Sequence, residues 1–309
     1  MKSWRVGVHK CSLGQAEGGV SEHARVQLRG RHTLAGFALP EVLISMGLTL
    51  PVVLSAIVLL IVTTEQQALC EQQLIMEQDA QFALEVIART IEQAGHRDML
   101  DSETWPPSGA AVATAPPLTG WDNASMTATS NPLNGPVVAG LMGSDVLIAH
   151  FAGTGLLNCA GLALPAQSNG AADVGYSVFY VARGAANEPE LRCKYPSTTS
   201  WVSEPLIAGV ETLQFLFGVD RDADGLPDQY MNASAIRAEQ GRSSAGKSSL
   251  WESVVAVKIS LLMRSARTIT SPSAEVMHLF GARYSQLQGG QDKGTQLSVA
   301  DFPAEQRLR

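Results

Sequence analysis

The feature that most constrains this 309-residue chain is Val42 to Val62, VLISMGLTLPVVLSAIVLLIV, a run of 21 residues without a charge. At 1.5 Å per residue it makes about 30 Å of helix, roughly one hydrocarbon core. So long an uncharged run is rare in a soluble fold, and it predicts one transmembrane helix. Pro51 lies within it and removes a helical hydrogen bond, so a kink or a loosened stretch is expected there. Lys2, Arg5, Lys10, Arg25, Arg29 and Arg31 precede the run against Glu17 and Glu22, a local charge of +4, while Glu65, Glu71 and Glu77 follow it. That bias predicts a cytoplasmic N-terminus and a body on the far side of the membrane.

The net charge of the whole chain is −7, so the residues after the basic start carry about −11. An acidic body excludes a broad nucleic-acid surface, which draws on clustered Lys and Arg. With 45% apolar and 17% charged residues, the chain has the material for a sizeable core.

Residues 1–36 lack an apolar run of their own and read as a basic cytoplasmic leader, not a secretory signal with its own apolar core. Residues 37–64 are the membrane helix. Residues 65–97 continue it amphipathically, with Leu69, Ile75, Phe82, Val86, Ile87, Ile91 and Ala94 at helical spacing and Gly95 as its stop. Residues 98–140 hold Pro106, Pro107, Pro116, Pro117, Pro132 and Pro136 and predict a long irregular connection.

From 141 to 309 the period changes to two, and this stretch predicts a β-sheet head. Strands are expected over Ser144 to Phe151, Tyr176 to Arg183, Glu190 to Tyr195, Glu211 to Val219 and Ser253 to Arg264. The clearest faces are Leu213, Phe215, Phe217 and Val219, and Val255, Val257, Ile259, Leu261 and Met263. Short connections and half-polar strands favour an antiparallel sheet with the N-terminal helix on its apolar face, an α+β architecture.

Four cysteines follow the compartment argument: Cys11 in the leader, Cys70 in the helix beyond the membrane, and Cys159 and Cys193 in the head. In an oxidising compartment the last two are the expected pair, worth about 3 to 4 kcal/mol in the chain-entropy model. Two free buried thiols are the alternative, since spacing does not set connectivity.

At the boundary of leader and span stands Gly36-Phe37-Ala38-Leu39-Pro40-Glu41. This resembles the processing site of type IV prepilins. The resemblance implies cleavage between Gly36 and Phe37 by a prepilin peptidase, methylation of the Phe37 amine, and an assembly role for Glu41, whose carboxylate would compensate the free amine of a neighbouring subunit. A lone carboxylate at the edge of an apolar helix is costly unless it has a use; snorkelling to the headgroups is the alternative.

A second likeness reaches further. Phe82-Ala83-Leu84-Glu85-Val86-Ile87-Ala88-Arg89 with Ala94-Gly95-His96 is similar to the helix end of PilW-type minor pilins. Further similar blocks are Ser144-Asp145-Val146-Leu147, Asn158-Cys159-Ala160-Gly161, Leu191-Arg192-Cys193, Gly209 to Gln214 running into Phe217 to Asp220, and Trp251 to Ser265. The resemblance implies a pilin-like fold and a structural subunit that helps prime pilus assembly, in adhesion, twitching motility or DNA uptake. It implies as partners other minor pilins, the major pilin, the pilus platform protein, the prepilin peptidase and a PilY-type tip adhesin, at the inner membrane. A type II secretion minor pseudopilin shares this anchor logic and is the alternative.

Asp220, Asp222, Asp224, the Leu226 carbonyl and Asp228 occupy positions 1, 3, 5, 7 and 9 of a calcium loop, with Gly225 at its turn. Met231 stands where a bidentate Glu belongs. The expectation is a calcium-dependent binding module at the tip, against an ordinary acidic hairpin turn. Gly241 to Ser248 matches the phosphate-loop pattern by letters, but no strand precedes it and alternating Val and Ile follow it. The six histidines have no metal-ligand spacing and no nucleophile elbow occurs, so no enzyme is expected.

Overall fold

The computed structural model describes residues 39–96, 115–136, 138–153, 155–164, 174–242, 249–264, 276–288 and 290–298. Gly36 and Phe37, and with them the expected cleavage and methylation sites, lie outside the described residues. The chain forms two compact units, Met1–Gln73 and Leu74–Arg309. Helix α1 (Leu39–Gln93) supplies its first part to one and its last part to the other.

In the first unit, residues 39–67 are all exposed, and α1 is long and apolar enough to cross a membrane. Its hydroxyls are satisfied within the helix: Ser45 bonds the Val42 carbonyl, Thr49 that of Met46, Ser55 that of Val52, Thr63 that of Leu60 and Thr64 that of Ile61. A helix in hydrocarbon needs this, because no water is there to take a stray donor. Pro51 sits inside the helix without ending it.

In the second unit the strands are β1 (Leu118–Trp121), β2 (Ala124–Ser125), β3 (Val138–Ala139), β4 (Val146–Ala152), β5 (Val174–Arg183), β6 (Pro189–Pro196), β7 (Trp201–Ala208), β8 (Val210–Val219), β9 (Gln229–Met231), β10 (Val254–Met263), β11 (Val276–His278) and β12 (Gln296–Ser298). Two short helices join them, α2 (Ala233–Arg242) and α3 (Ala282–Gln288). A five-stranded sheet runs β1-β4-β5-β6-β7 and a three-stranded sheet β10-β8-β9, with β2-β3 and β11-β12 as small pairs. Every pairing is antiparallel. The α+β architecture, a long N-terminal helix and then an antiparallel head, is therefore as the sequence predicts.

The main core joins one face of the five-stranded sheet, β8 and the end of α1. Leu147, Phe179, Leu191, Leu213, Phe215 and Phe217 pack with Ala83, Val86 and Ile87. A second cluster, with Val146, Ile148, Val178 and Tyr180 under Ala124 and Met126, covers the other face. Strands β4 and β8 are thus buried on both sides, and the half-polar alternation expected of them is absent.

Four expectations need correction. The head is built on two main sheets, not one, because β8 turns its own inner face to the first sheet. Strand β1 lies inside the stretch expected to be irregular, and it pairs with β4 from Leu118↔Ala149 to Trp121↔Val146. Of the amphipathic stripe, Leu69, Ile75 and Phe82 are about half exposed, whereas Val86 and Ile87 are buried and Ile91 and Ala94 pack on the core. On β10, a bulge between Val254 and Ala256 shifts the register, so Val254 packs inward and Val255 is exposed.

Candidate assembly helix, disulfide loop and acidic turn

Glu41 stands in the first turn of α1, where the unpaired N–H groups favour a negative charge, and apolar residues surround it in sequence. That is the described part of the expected assembly site.

The other end of α1 is mounted in the head. Gly95 has φ +76 and closes the helix, as its sequence position predicts. Its N–H donates to the His150 carbonyl at 2.8 Å, and the Ala152 N–H returns to the His96 carbonyl at 2.8 Å. The Gln93 amide donates to the Leu157 carbonyl at 2.7 Å. Leu157 belongs to the loop that carries Cys159.

Cys159 and Cys193 form a disulfide with Cα atoms 5.8 Å apart. The Asn158 carboxamide oxygen accepts the N–H groups of Ala160 and Leu162, and the Cys159 N–H donates to Ser177 Oγ at 2.9 Å. The loop is therefore fixed both by its own turn and by β5 and β6. Cys70, on α1, is half-buried and stands outside this disulfide.

The acidic turn follows β8. Ligand atoms of Asp220, Asp222 and Asp224 all lie within 4.8 Å of one another. The same carboxylates organise the turn: Asp220 accepts the N–H groups of Ala223 and Gly225, Asp222 that of Asp224, Asp224 that of Leu226, and Asp228 that of Arg221. The Gly225 N–H above all holds the Asp220 carboxyl below its usual range. Asp228 is not part of the three-carboxylate group, and Leu226 is exposed. The Gly241 to Ser248 pattern begins at the end of α2, so a helix and not a strand precedes it; residues 243–248 lie outside the described residues.

Sequence reasoning missed a network of buried polar side chains. Asp145 accepts the N–H of Asn123 and that of Phe215, each at 3.0 Å. Ser144 Oγ accepts the Leu213 N–H at 3.1 Å. Asp122 accepts the Ala233 and Ser234 N–H groups at the start of α2. The buried Lys194 ammonium donates to the carbonyls of Thr127 and Ala128. The signal for Asp145 was present, since an ionisable residue directly before the apolar Val146 to Ile148 has to meet partners where the strand begins.

Over residues 178–299, from within β5 to just past β12, the chain matches the model of the family described as Type IV Pilus-assembly protein W. No curated protein and no solved structure shows significant similarity to it. The matched stretch holds Cys193, β8 and the acidic turn, and among the described residues one helix long and apolar enough to cross a membrane precedes it. Over that stretch the chain is similar to PilW-type type IV pilus proteins.

Proposed function

We propose that this chain is a minor pilin, a structural subunit that primes pilus assembly and not an enzyme. The observation that supports this most is the division of α1. Its first 29 described residues, 39–67, expose an apolar surface with every Ser and Thr hydroxyl bonded back to the helix, while its last turns are fixed in the head. Such a helix is suited to leave lipid and bundle with equivalent helices.

In this reading a prepilin peptidase cuts after Gly36, the Phe37 amine is methylated, and Glu41 of each subunit compensates that amine on its neighbour. The N-terminus starts in the cytoplasm with the head in the periplasm, and assembly carries the head to the cell surface. Other minor pilins, the major pilin, the platform protein and a PilY-type adhesin are the partners. N-terminal mass spectrometry of the membrane-extracted protein tests it. A mature start at N-methylated Phe37 is expected; a retained leader in cells that possess the peptidase overturns the reading. Glu41→Ala is expected to leave the protein in the membrane and out of sheared pili.

A second proposal concerns the acidic turn, because three carboxylates within 4.8 Å offer hard oxygen ligands. Calcium would be held by Asp220, Asp222 and Asp224, with the Leu226 carbonyl and Asp228 completing the set. Calorimetric titration of the full chain in detergent with calcium, beside Asp222→Asn, decides it: no heat in the parent chain, or equal heat in both, rules the site out.

A further inference from the structure

Both sulfurs of the Cys159–Cys193 bond are sealed inside the head, where Cys159 is 2% exposed and Cys193 0%. Cys193 is held in the middle of β6, paired on one side with Phe179 of β5 and on the other with Glu204 of β7. Cys159 rides on a short hairpin. Leu157 bridges Ala163, the Asn158 N–H donates to the Leu162 carbonyl at 2.8 Å, and the Leu164 N–H donates to the Leu156 carbonyl at 3.2 Å. Leu157, Gly161 and Leu162 are exposed while Cys159 is buried, so the hairpin turns one side to solvent and its cysteine to the core.

The same hairpin is a seat of α1. Gln93 donates to the Leu157 carbonyl at 2.7 Å, so the last turn of the helix is fastened to the loop that carries the sulfur. One core cluster contains both cysteines together with Ala83, Val86 and Ile87 of α1, and Ile91, Ala94 and Ala160 pack against it. Thiol–disulfide exchange needs the sulfur of the reagent in contact with the sulfur it attacks, and its rate depends on that access. A reagent of protein size has no such access to sulfurs this deeply buried.

We infer that a protein disulfide oxidant makes the Cys159–Cys193 bond before the end of α1 is mounted, and that the mount depends on this bond. In the step, one thiolate of the pair attacks the oxidant's disulfide, which breaks as a mixed disulfide forms. The second thiolate then displaces the oxidant. The two cysteines lose two protons and two electrons in all, and the oxidant leaves as a dithiol. Once joined to β6, the hairpin is held where the Cys159 N–H meets Ser177 Oγ and the Leu157 carbonyl meets the Gln93 amide. An unoxidised subunit therefore carries a helix end that is not fastened to its head. The supply of oxidant outside the cytoplasm rests on the orientation proposed above, whereas the order of oxidation and mounting does not.

To test the order, the full chain in detergent is reduced in urea, diluted into native buffer, and given a disulfide oxidase of the thioredoxin fold at once or after refolding has levelled off. Differential alkylation with peptide mass spectrometry follows Cys159 and Cys193 apart from Cys11 and Cys70, and hydrogen exchange follows residues 90–96. Protection at 90–96 is expected to appear with the disulfide and not ahead of it. Full protection there while both thiols are free overturns the proposal. If β5 peptides show that the reduced head does not fold at all, reduction of the finished bond decides. A protein dithiol is expected to reduce it about 100-fold more slowly in native buffer than in urea, and Gln93→Ala to quicken the native reaction about fivefold by loosening the hairpin. A native rate within about threefold of that in urea shows the sulfurs open to a protein reagent and overturns the proposal, as does a native rate that Gln93→Ala leaves unchanged.

Discussion

The Asp145 carboxylate accepts the backbone N–H of Phe215 at 3.0 Å across 70 residues of chain, and so joins the start of β4 to β8. Through this bond and the Asp145 N–H to the Leu213 carbonyl at 2.8 Å, the five-stranded and three-stranded sheets are held in register as well as packed together. Asp145→Ala leaves the N–H groups of Asn123 and Phe215 without their acceptor in a buried place. We expect a loss of about 2 to 4 kcal/mol in chemical unfolding followed by tryptophan fluorescence. A loss below about 0.5 kcal/mol shows that the bond does not carry the junction.

Arg264 gathers two acidic partners at the other end of that junction. It pairs with Glu188 and, at 3.1 Å, with Glu211, which is 3% exposed. Arg264→Leu removes the cation and strands a buried carboxylate, with an expected cost of about 3 kcal/mol. Adding Glu211→Gln to Arg264→Leu recovers part of that loss if stranded charge is the cause, and a double-mutant cycle reads it.

Burial raises the carboxyls of Asp145, Asp292 and Glu211, the last against the pull of Arg264 and Arg183. All three raise stability below the ordinary carboxylate range and surrender that contribution as pH rises through their folded values. Urea midpoints of the full chain are therefore expected to fall between about pH 5 and about pH 8. A rising midpoint contradicts the assignment.

Closing 34 residues of sequence, the Cys159–Cys193 bond constrains the unfolded chain. Its reduction, or the double variant Cys159→Ser with Cys193→Ser, should cost about 3 to 4 kcal/mol in the chain-entropy model. Because the Cys159 loop also accepts the Gln93 amide, faster hydrogen exchange at residues 90–96 is expected to accompany it.

Gly95 combines φ +76 with the Pro117 side chain about where a Cβ would sit, its Cγ 3.0 Å away. Gly95→Ala is expected to lower stability by about 1 to 2 kcal/mol, more than the same change at the open Gly241, where nothing lies within 4 Å.

Much of this head was legible because its interior strands are rich in apolar and aromatic residues and are bounded by Gly, Pro, Asn or Asp. The expected strand over Glu211 to Val219 differs from β8 by a single residue, and β5, β6 and β10 differ by two or less at each end. Strand β7 escaped notice because Glu204 and Pro205 break its pattern, and those residues suit a sheet edge, where they discourage further pairing. Strand β1 was hidden in proline-rich sequence because four residues carry no period; its place is decided by β4. Within the second unit, Ile75 and Phe82 are exposed because the core takes up α1 only from Ala83 on, which spacing within a helix does not encode. Asp122 and Asp145 meet the N–H groups of Ala233 and Phe215 only through tertiary contacts, so nothing local in the sequence announces these bonds.

The mount of α1 has a mechanical consequence. In the proposed pilin role, tension along α1 would enter the head at residues 93–96. Gly95 to His150 and His96 to Ala152 hand it to β4, which is flanked by β1 and β5 and so spreads the strain across an interior strand.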